Sequence, residues 1–282
     1  MGKRLLLTEE NIRKFELALY REEREASTVE VYLRNLRRFA AWAEEKTVDK
    51  DAAIRWKAAL VGEGYSPVTV NAMLAAVNKF FLVMGYASYK VRYLRVQRRS
   101  FRSPGRELTQ QEYRRLVDTA LGSGNERLAL LMECICATGI RVSEVKYITV
   151  EAAQNGMAEV ALKGKIRTIL LPNKLCRKLL KYTKRRKISA GEIFLTGEGR
   201  SLSRKFIWAE MKKLCQKAGV ERSKVFPHNL RHLFARTFYR SCRDVVKLAD
   251  VLGHSSIETT RIYLLSTGKE YARQLDRLGL VS

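Results

Sequence analysis

Long apolar runs, prolines and histidines are scarce in this chain of 282 residues. No stretch approaches the roughly 20 consecutive apolar residues that span a bilayer, so the sequence predicts no transmembrane helix. Acidic residues appear after only three leucines at the N-terminus, which does not fit a signal peptide, and we expect a cytoplasmic protein. The four prolines argue against a Pro-rich linker or tail.

Motifs for metals and nucleotides are lacking as well. The three histidines and five cysteines have no metal-finger spacing, and the sequence contains no GxxxxGK[ST] loop or carboxylate cluster. The cysteine count is odd and no CxxC pair occurs, so we interpret the cysteines as reduced, buried thiols. They are Cys134, Cys136, Cys176, Cys215 and Cys242.

Positive charge, by contrast, is abundant. The chain carries 54 Lys and Arg against 29 Asp and Glu, a net charge of +25. Such an excess favours a polyanionic partner, with nucleic acid first and an anionic membrane surface second. We interpret residues 90–106, which hold no acid, as an interdomain linker that meets the polyanion; a solvated basic strap is the alternative. The linker cations are Lys90, Arg92, Arg95, Arg98, Arg99, Arg102 and Arg106.

The apolar spacing is mainly helical, and the length fits two domains with a sizeable core. The first 86 or so residues predict a small helical bundle. Its helices are expected over 8–20, from a capping box at Ser27–Glu30 to about 46, from Asp51, and from Ser66 with Pro67 at the first helical position.

The remaining residues predict a second, α-rich domain that opens with a capping box at Thr109–Glu112. Two short β-favourable segments, 157–162 and 166–171, predict a hairpin with the basic tip Lys163-Gly164-Lys165. A capping box at Ser255–Glu258 predicts a last helix over about 256–265.

Six polar residues of the second domain form an ordered set: Arg141, Lys163, His228, Arg231, His254 and Tyr263. Their surroundings read ATGIRVSE, KGKIR, PHNLRHLFA and LGHSSIETTRIY. Each residue alone has an ordinary structural explanation. The ordered set resembles the tyrosine recombinase (integrase) family, in particular its Xer-type and its conjugative-element and phage branches.

The resemblance implies a mainly α fold that forms a C-shaped clamp on DNA. It implies an N-terminal core-binding, SAM-like bundle over 1–89, the basic linker over 90–106, and a catalytic domain with a small antiparallel sheet and a C-terminal tail over 107–282. The implied activity cleaves and rejoins DNA through a covalent 3′-phosphotyrosine, with no cofactor. The implied partners are double-stranded recombination sites, a homotetramer on two duplexes and an accessory excision factor, in the bacterial nucleoid.

The resemblance also implies how the phosphate is held. Arg141 and Arg231 would grip its non-bridging oxygens, because guanidinium forks bind phosphate bidentately and stabilise charge that grows in the transition state. His254 would hydrogen-bond the same phosphate, and Glu144 would orient Arg141.

Proton transfer would fall to two further residues. A phenol, with an ordinary pKa of about 10, is a weak nucleophile at neutral pH. Tyr263 therefore needs a proton acceptor nearby, for which His228 is the family's candidate. Lys163 would protonate the departing 5′-oxygen; Lys165 remains the alternative.

Several assignments rest on weaker patterns. We expect His232 to be structural and to face away along its helix, and Tyr271 lacks the nine-residue spacing from His254 that marks Tyr263. DNA contacts are predicted for the linker cations and for Lys165 and Arg167. Weak candidates for base reading are Asn71, Asn78 and Lys79.

Among functions, we prefer a mobile-element integrase, because the tail STGKEYARQLDRLGL looks more like conjugative-element relatives. We expect no arm-binding domain of the kind that larger phage integrases carry. Alternatives are a Xer-type recombinase that resolves chromosomes or plasmids, a type IB topoisomerase and a non-catalytic DNA-binding factor. The tail is expected to pack on a neighbouring protomer; packing on its own chain is the alternative.

Overall fold

The computed structural model describes residues 5–43, 47–96, 105–162, 165–264 and 276–278, without the side chains at 162, 165 and 264. The chain divides into two compact units, Met1–Arg98 and Arg99–Ser282. Helices dominate both units, which confirms the predicted mainly α class. Within the described ranges, no helix has the length and apolar character needed to cross a membrane.

The described part of the N-terminal unit is a four-helix bundle with a short two-stranded sheet. Its elements are β1 (Leu5–Leu6), α1 (Glu9–Arg21), α2 (Ala26–Trp42), β2 (Thr47–Val48), α3 (Lys50–Gly62), α4 (Pro67–Val83) and a 3₁₀ turn (Ala87–Tyr89). Strands β1 and β2 pair antiparallel. Aromatic rings fill the core: those of Phe39 and Trp56 lie 4.9 Å apart, and Phe15 meets Phe80 edge-on at 5.6 Å. Such pairs combine a large buried apolar area with favourable ring geometry.

The helix starts of this unit follow the predicted capping chemistry only in part. Ser66 caps α4 as predicted, since its hydroxyl accepts a hydrogen bond from the Thr69 N–H. The predicted cap at Ser27 is wrong. The Glu25 carbonyl already accepts from the N–H groups of Thr28 and Val29, so helical bonding begins before Ser27.

The start predicted for α3 is one residue late, since the helix begins at Lys50. Asp49, not Asp51, is the cap, because its carboxylate accepts from the Ala52 N–H while Asp51 lies inside the first turn. Either aspartate satisfies the sequence pattern, and the backbone conformation decides between them.

The first part of the predicted linker packs on the N-terminal unit. Val91 is buried, and the Asn78 amide both donates to its carbonyl and accepts from its N–H. The Asn71 amide likewise donates to the Leu94 carbonyl and accepts from the Leu94 N–H. Both asparagines are therefore bonded to backbone, which argues against them as base-reading candidates. Lys79 pairs with Glu22, and its assignment stays a prediction.

The second unit contains the larger hydrophobic core. Its elements are α5 (Gln110–Gly122), α6 (Glu126–Thr138), a 3₁₀ helix (Val142–Tyr147), α7 (Val150–Asn155), β3 (Met157–Leu162), β4 (Lys165–Leu170), α8 (Asn173–Arg186), α9 (Arg204–Ala218), a 3₁₀ turn (Arg222–Lys224), α10 (Pro227–Cys242), α11 (Val245–Leu252) and α12 (Ile257–Leu264). The Thr109–Glu112 capping box is confirmed in both of its hydrogen bonds. At α12 the hydroxyl that accepts from the Glu258 N–H belongs to Ser256 rather than to Ser255.

The predicted hairpin is present, with strands β3 and β4 antiparallel. Leu162 pairs with Lys165, so Lys165 belongs to the strand and not to the tip. The other two residues of the predicted tip, 163–164, lie outside the described residues.

Candidate active site

Arg141 is positioned by the abrupt end of α6. Gly139 takes the left-handed conformation (φ 68°), and a β-carbon there would lie 2.4 Å from the Phe234 ring, so only glycine fits. The chain then turns into the 3₁₀ helix, whose Glu144 accepts from the Arg141 N–H at 2.7 Å and from its guanidinium at 2.9 Å. The Arg141 side chain remains 43% exposed, so its outer face is open to a ligand.

Glu144 is 1% exposed and lies between two guanidiniums. Arg167 reaches it from β4, with 2.5 Å between Nη2 and Oε2. Burial alone would raise the pKa of Glu144, but the hydrogen bond from the Arg141 N–H and the charge of Arg167 outweigh burial and lower it. The structure thus turns Arg167, predicted to contact DNA, inward, because the buried carboxylate needs a second cation.

Arg231, on α10, is buried at 1% exposure and makes four hydrogen bonds. Its Nη1 donates to the Gly139 carbonyl at 2.5 Å, and its Nη2 donates to the Leu252 carbonyl and to Nε2 of His254. Its Nε donates to the Tyr263 hydroxyl at 3.4 Å. Burial lowers the pKa of this guanidinium, yet an arginine so placed stays charged.

His254 follows the end of α11, and its two ring nitrogens have different partners. Since Arg231 can only donate, Nε2 must accept the 2.9 Å bond between them. The proton then sits on Nδ1, which donates to the Thr260 hydroxyl at 2.8 Å. Burial, followed by the charges of Arg231 and Arg141, lowers the pKa of His254 to about 4, so the ring is neutral at pH 7.

Tyr263 is buried on α12 beneath three imidazoles. Its ring lies 4.5 Å from that of His232, 5.6 Å from that of His254, with which it stacks, and 5.9 Å from that of His228. The prediction that His232 faces away is wrong. His232 is one helical turn from His228 on α10, and their rings meet edge-on at 4.7 Å, so both face the phenol.

A cavity of about 700 Å³ opens beside these residues. Arg141, His228 and Arg231 line it together with three residues from the start of α9 that sequence reasoning missed: Arg204, Lys205 and Trp208. The helix dipole disfavours cations at a helix N-terminus, yet α9 begins with Arg204 and Lys205. Two cations at such a position indicate an anionic partner, and the sequence alone could have shown this.

The structure does not test the other predicted site residues. Lys163, Arg98, Arg99 and Arg102 lie outside the described residues, as does the side chain of Lys165. The N-terminal unit carries Lys90, Arg92 and Arg95, all exposed on the segment held by Asn71 and Asn78.

The structure therefore brings Arg141, Glu144, His228, Arg231, His254 and Tyr263 into one site. Two guanidiniums beside a phenol can bind a phosphodiester, because the exposed Arg141 can donate two parallel hydrogen bonds to its oxygens and Arg231, which lines the same cavity, adds a second positive charge. The phenol oxygen touches one of these guanidiniums, so phosphorus held there would be within reach of a nucleophile.

Comparison with known proteins agrees with this chemistry. The phage integrase family matches residues 106–270, and the N-terminal SAM-like domain of phage integrases matches residues 12–84. A tyrosine recombinase XerA from Pyrococcus furiosus is 28% identical over 98% of this chain and 96% of its own length.

Two solved structures share the fold. The Tn1549 transposon integrase, in complex with transposon right end DNA, covers 95% of this chain and 99% of its own, with a TM-score of 0.70 and 16% identity. A lambda integrase tetramer bound to a Holliday junction covers 90% of this chain and 76% of its own, with a TM-score of 0.69 and 18% identity.

The first family match alone spans more than half of the chain, and it contains every residue of the site. The resemblance noted in the sequence is thereby confirmed. The chain belongs to the phage integrase family of tyrosine recombinases, enzymes that cleave and rejoin DNA strands.

Proposed function

We propose that this chain is a site-specific recombinase in which Tyr263 attacks a DNA phosphate held by Arg141 and Arg231. The observation that carries the proposal is the position of the Tyr263 hydroxyl, 3.4 Å from Nε of Arg231 and beside the cavity that Arg141 lines. A buried guanidinium aimed at a phenol has no evident use in a protein that only binds DNA.

The reaction exchanges one phosphate ester for another. The phenol oxygen forms a bond to phosphorus, and the bond from phosphorus to the 5′-oxygen breaks, which leaves a 3′-phosphotyrosine and a free 5′-hydroxyl. The phenol proton leaves to a base, and the departing oxygen receives a proton. Because the exchange is nearly balanced in energy, the 5′-hydroxyl of a second strand can reverse it and reseal the DNA.

His228 or His232 takes the phenol proton in this proposal. His228 is exposed towards the cavity, where substrate would lie, whereas the His232 ring is closer to Tyr263. A base that faces the cavity can meet the reacting oxygen once DNA is bound. We therefore assign proton acceptance to His228 and orientation of the phenol ring to His232. Lys163 remains our proposed general acid.

Recombination between two duplexes requires several protomers, and we propose a tetramer on two sites. The lambda integrase tetramer on a Holliday junction supports this arrangement, as a protein of the same fold. Within the chain, we propose the boundaries 1–89, 90–106 and 107–282 for the core-binding domain, linker and catalytic domain.

The biological role we propose is integration and excision of a mobile element, aided by an accessory excision factor. The tail resemblance and the fold shared with the Tn1549 transposon integrase support it. The second candidate is Xer-type resolution, which is favoured by the 28% identity to a XerA over almost the whole chain.

Covalent trapping tests the chemistry directly. Duplex sites are selected from a random pool by binding and then nicked at successive positions, so that the short 5′-hydroxyl fragment diffuses away and the adduct accumulates. Wild-type protein and the control Tyr271→Phe should form the adduct, and Tyr263→Phe should form none. An equal yield from Tyr263→Phe would remove Tyr263 from its role. Tight binding without adduct at any nick would support the non-catalytic alternative, and relaxation of plasmids that lack the site would support a topoisomerase.

The two biological roles differ in the products they leave in cells. An element integrase should produce a circular junction between the DNA segments that flank the gene, detectable by amplification across the joint and lost with Tyr263→Phe. If the gene's loss instead leaves chromosome dimers unresolved and no circular junction forms, the Xer-type role is correct.

A further inference from the structure

Arg167 connects two parts of the active site that are distant in sequence. From β4, its Nη2 pairs with the buried carboxylate of Glu144, and its Nη1 donates to the Val251 carbonyl at 3.1 Å, three residues before His254. Its side chain is 17% exposed, far less than that of Arg141. The guanidinium thus spans from the carboxylate that holds Arg141 to the turn that carries His254.

The turn is shaped around this arginine. Gly253, at the end of α11, has φ +64°, and a β-carbon there would lie 2.4 Å from Cδ and 2.7 Å from Nη1 of Arg167. Nε of Arg167 is buried without a hydrogen-bond partner among the described residues, and it would lie 3.0 Å from that same β-carbon. Leaving a buried donor unpaired costs about 1–3 kcal/mol, so this placement is maintained by the guanidinium's other two bonds.

We propose that Arg167 is a positioning residue for DNA cleavage, not a DNA contact: it fixes Glu144, and through it Arg141, against the turn that presents His254. The inference rests on the proposed function, because it concerns the orientation of the phosphate-binding groups. A lysine at 167 would keep the charge beside Glu144 but lacks the second nitrogen that reaches Val251.

Measuring DNA binding and cleavage separately distinguishes a positioning role of Arg167 from a DNA contact. On the nicked duplex, Arg167→Ala should slow adduct formation by about 10–100-fold, the range typical of residues that orient active-site ligands. The Kd for DNA and its salt dependence should stay at wild-type values, and Arg167→Lys should have an intermediate rate. A weaker Kd with a reduced salt slope would mean that Arg167 contacts phosphate, and it would overturn the proposal.

Coupling to Arg141 tests the route of the effect. Because Arg167 acts partly through Arg141, the double variant Arg141→Ala/Arg167→Ala should lose clearly less rate than the product of the two single losses. Rate losses that multiply would show that the two residues act independently, which contradicts the proposal.

A matched glycine pair tests the turn without removing the arginine. Gly253 and Gly156 both end helices with positive φ, but only a methyl group at 253 would strike Arg167, since nothing lies within 4 Å of that position at 156. Gly253→Ala should therefore slow cleavage as Arg167→Ala does, and Gly156→Ala should not. In an Arg167→Ala background, Gly253→Ala should cost no further rate.

Equal rates for the two glycine variants in the wild-type background would overturn the inference. Thermal melting of each variant shows whether it is folded when the rate is measured. If wild-type protein forms no adduct on any nicked site, the proposed function itself fails, and this inference falls with it; a wild type that cleaves normally while Arg167→Ala does the same refutes this inference alone.

Discussion

The two units bury polar groups for different ends. In the described part of the N-terminal unit, the buried polar side chains are neutral amides, Asn35 and Asn78, and Asn78 satisfies the backbone of a docked segment. The catalytic unit buries ions, with Glu144 and Arg231 each 1% exposed. Burying an ion costs several kcal/mol unless it is paired, so we expect the second pattern chiefly where function requires it.

The difference separates polar groups that serve the fold from polar groups that serve the reaction. The Asn78 amide, buried and bonded to both polar groups of one peptide unit, fixes a segment and is turned away from any substrate. Arg231 is instead held by two carbonyls, and two of its other N–H groups donate to His254 and Tyr263. Loss of a group that serves the fold should lower stability and leave cleavage by folded protein intact. Loss of a group that serves the reaction should slow cleavage even when the protein is fully folded.

Among tests of the contrast between the two units, the largest expected effect comes from Arg231→Lys. Lysine keeps the charge but cannot make four hydrogen bonds in fork geometry, so adduct formation should fall by about 10²–10³-fold, as for loss of a transition-state donor. The measurement is the single-turnover rate on nicked DNA. Arg236→Lys, on the same helix, is the matched control and should cleave at a near wild-type rate. Equal rates for the two lysine variants would break the comparison.

Gly139→Ala should affect both stability and activity. The left-handed conformation at 139 strains any side chain by about 1 kcal/mol, and the clash with Phe234 should add about 1–3 kcal/mol. Gly124→Ala is the control, because φ there is +72° but nothing lies within 4 Å of an added β-carbon. Denaturant unfolding should show a larger loss for Gly139→Ala, accompanied by slower cleavage because its carbonyl holds Arg231. Equal stability losses would mean that the ring moves freely.

The sequence predicted the elements and the clustered site residues better than it predicted side-chain direction. Local rules sufficed for helices with one clear cap, such as Ser66, and failed where neighbouring residues offered the same chemistry, as at Asp49 and Asp51. A resemblance can indicate that Arg141 and Arg231 matter. It cannot tell which way His232 points, because that depends on where α12 packs against α10.

Arg167 is a second side chain whose direction the sequence did not predict, here because it was judged by its charge. A basic hairpin predicts a surface that meets phosphate, and for an isolated hairpin that expectation is sound. The fold instead places a buried carboxylate within reach, and Glu144 captures the guanidinium. The asparagines on α4 fail as base readers for a related reason, since the segment that follows their helix returns to occupy them.

Asn78→Ala tests the fold-serving side of the comparison. Both hydrogen bonds to Val91 would be lost at a buried position, so stability should fall by about 2–3 kcal/mol. Asn71→Ala removes the equivalent pair to Leu94 at a half-buried position and should cost about 1 kcal/mol. Denaturant midpoints measure both losses, and cleavage per folded molecule should stay at the wild-type level. A cleavage defect at full folding would show that the docked segment also takes part in the reaction.

The smallest effect is a pH dependence confined to the catalytic unit, which contains all three histidines. The folded state lowers the pKa of His254 to about 4, below its ordinary value of 6.5, so the unfolded chain binds more protons between those values. Stability contributed by neutral His254 is therefore present at pH 7 and is lost as the pH falls from about 6.5 towards about 4. Between pH 7 and about pH 5.5 the loss should be roughly 1 kcal/mol.

His254→Gln should remove this part of the acid sensitivity, because glutamine does not titrate and its amide can still accept from Arg231. Denaturant unfolding of wild type and variant at several pH values measures it, and the two curves should run parallel above pH 7 and diverge below about 6.5. Parallel curves throughout would mean that His254 does not stay neutral in the folded protein. The charges of the neighbouring guanidiniums would then be too well neutralised to disfavour a charged His254. The contrast between the two units would rest on Glu144 and Arg231 alone.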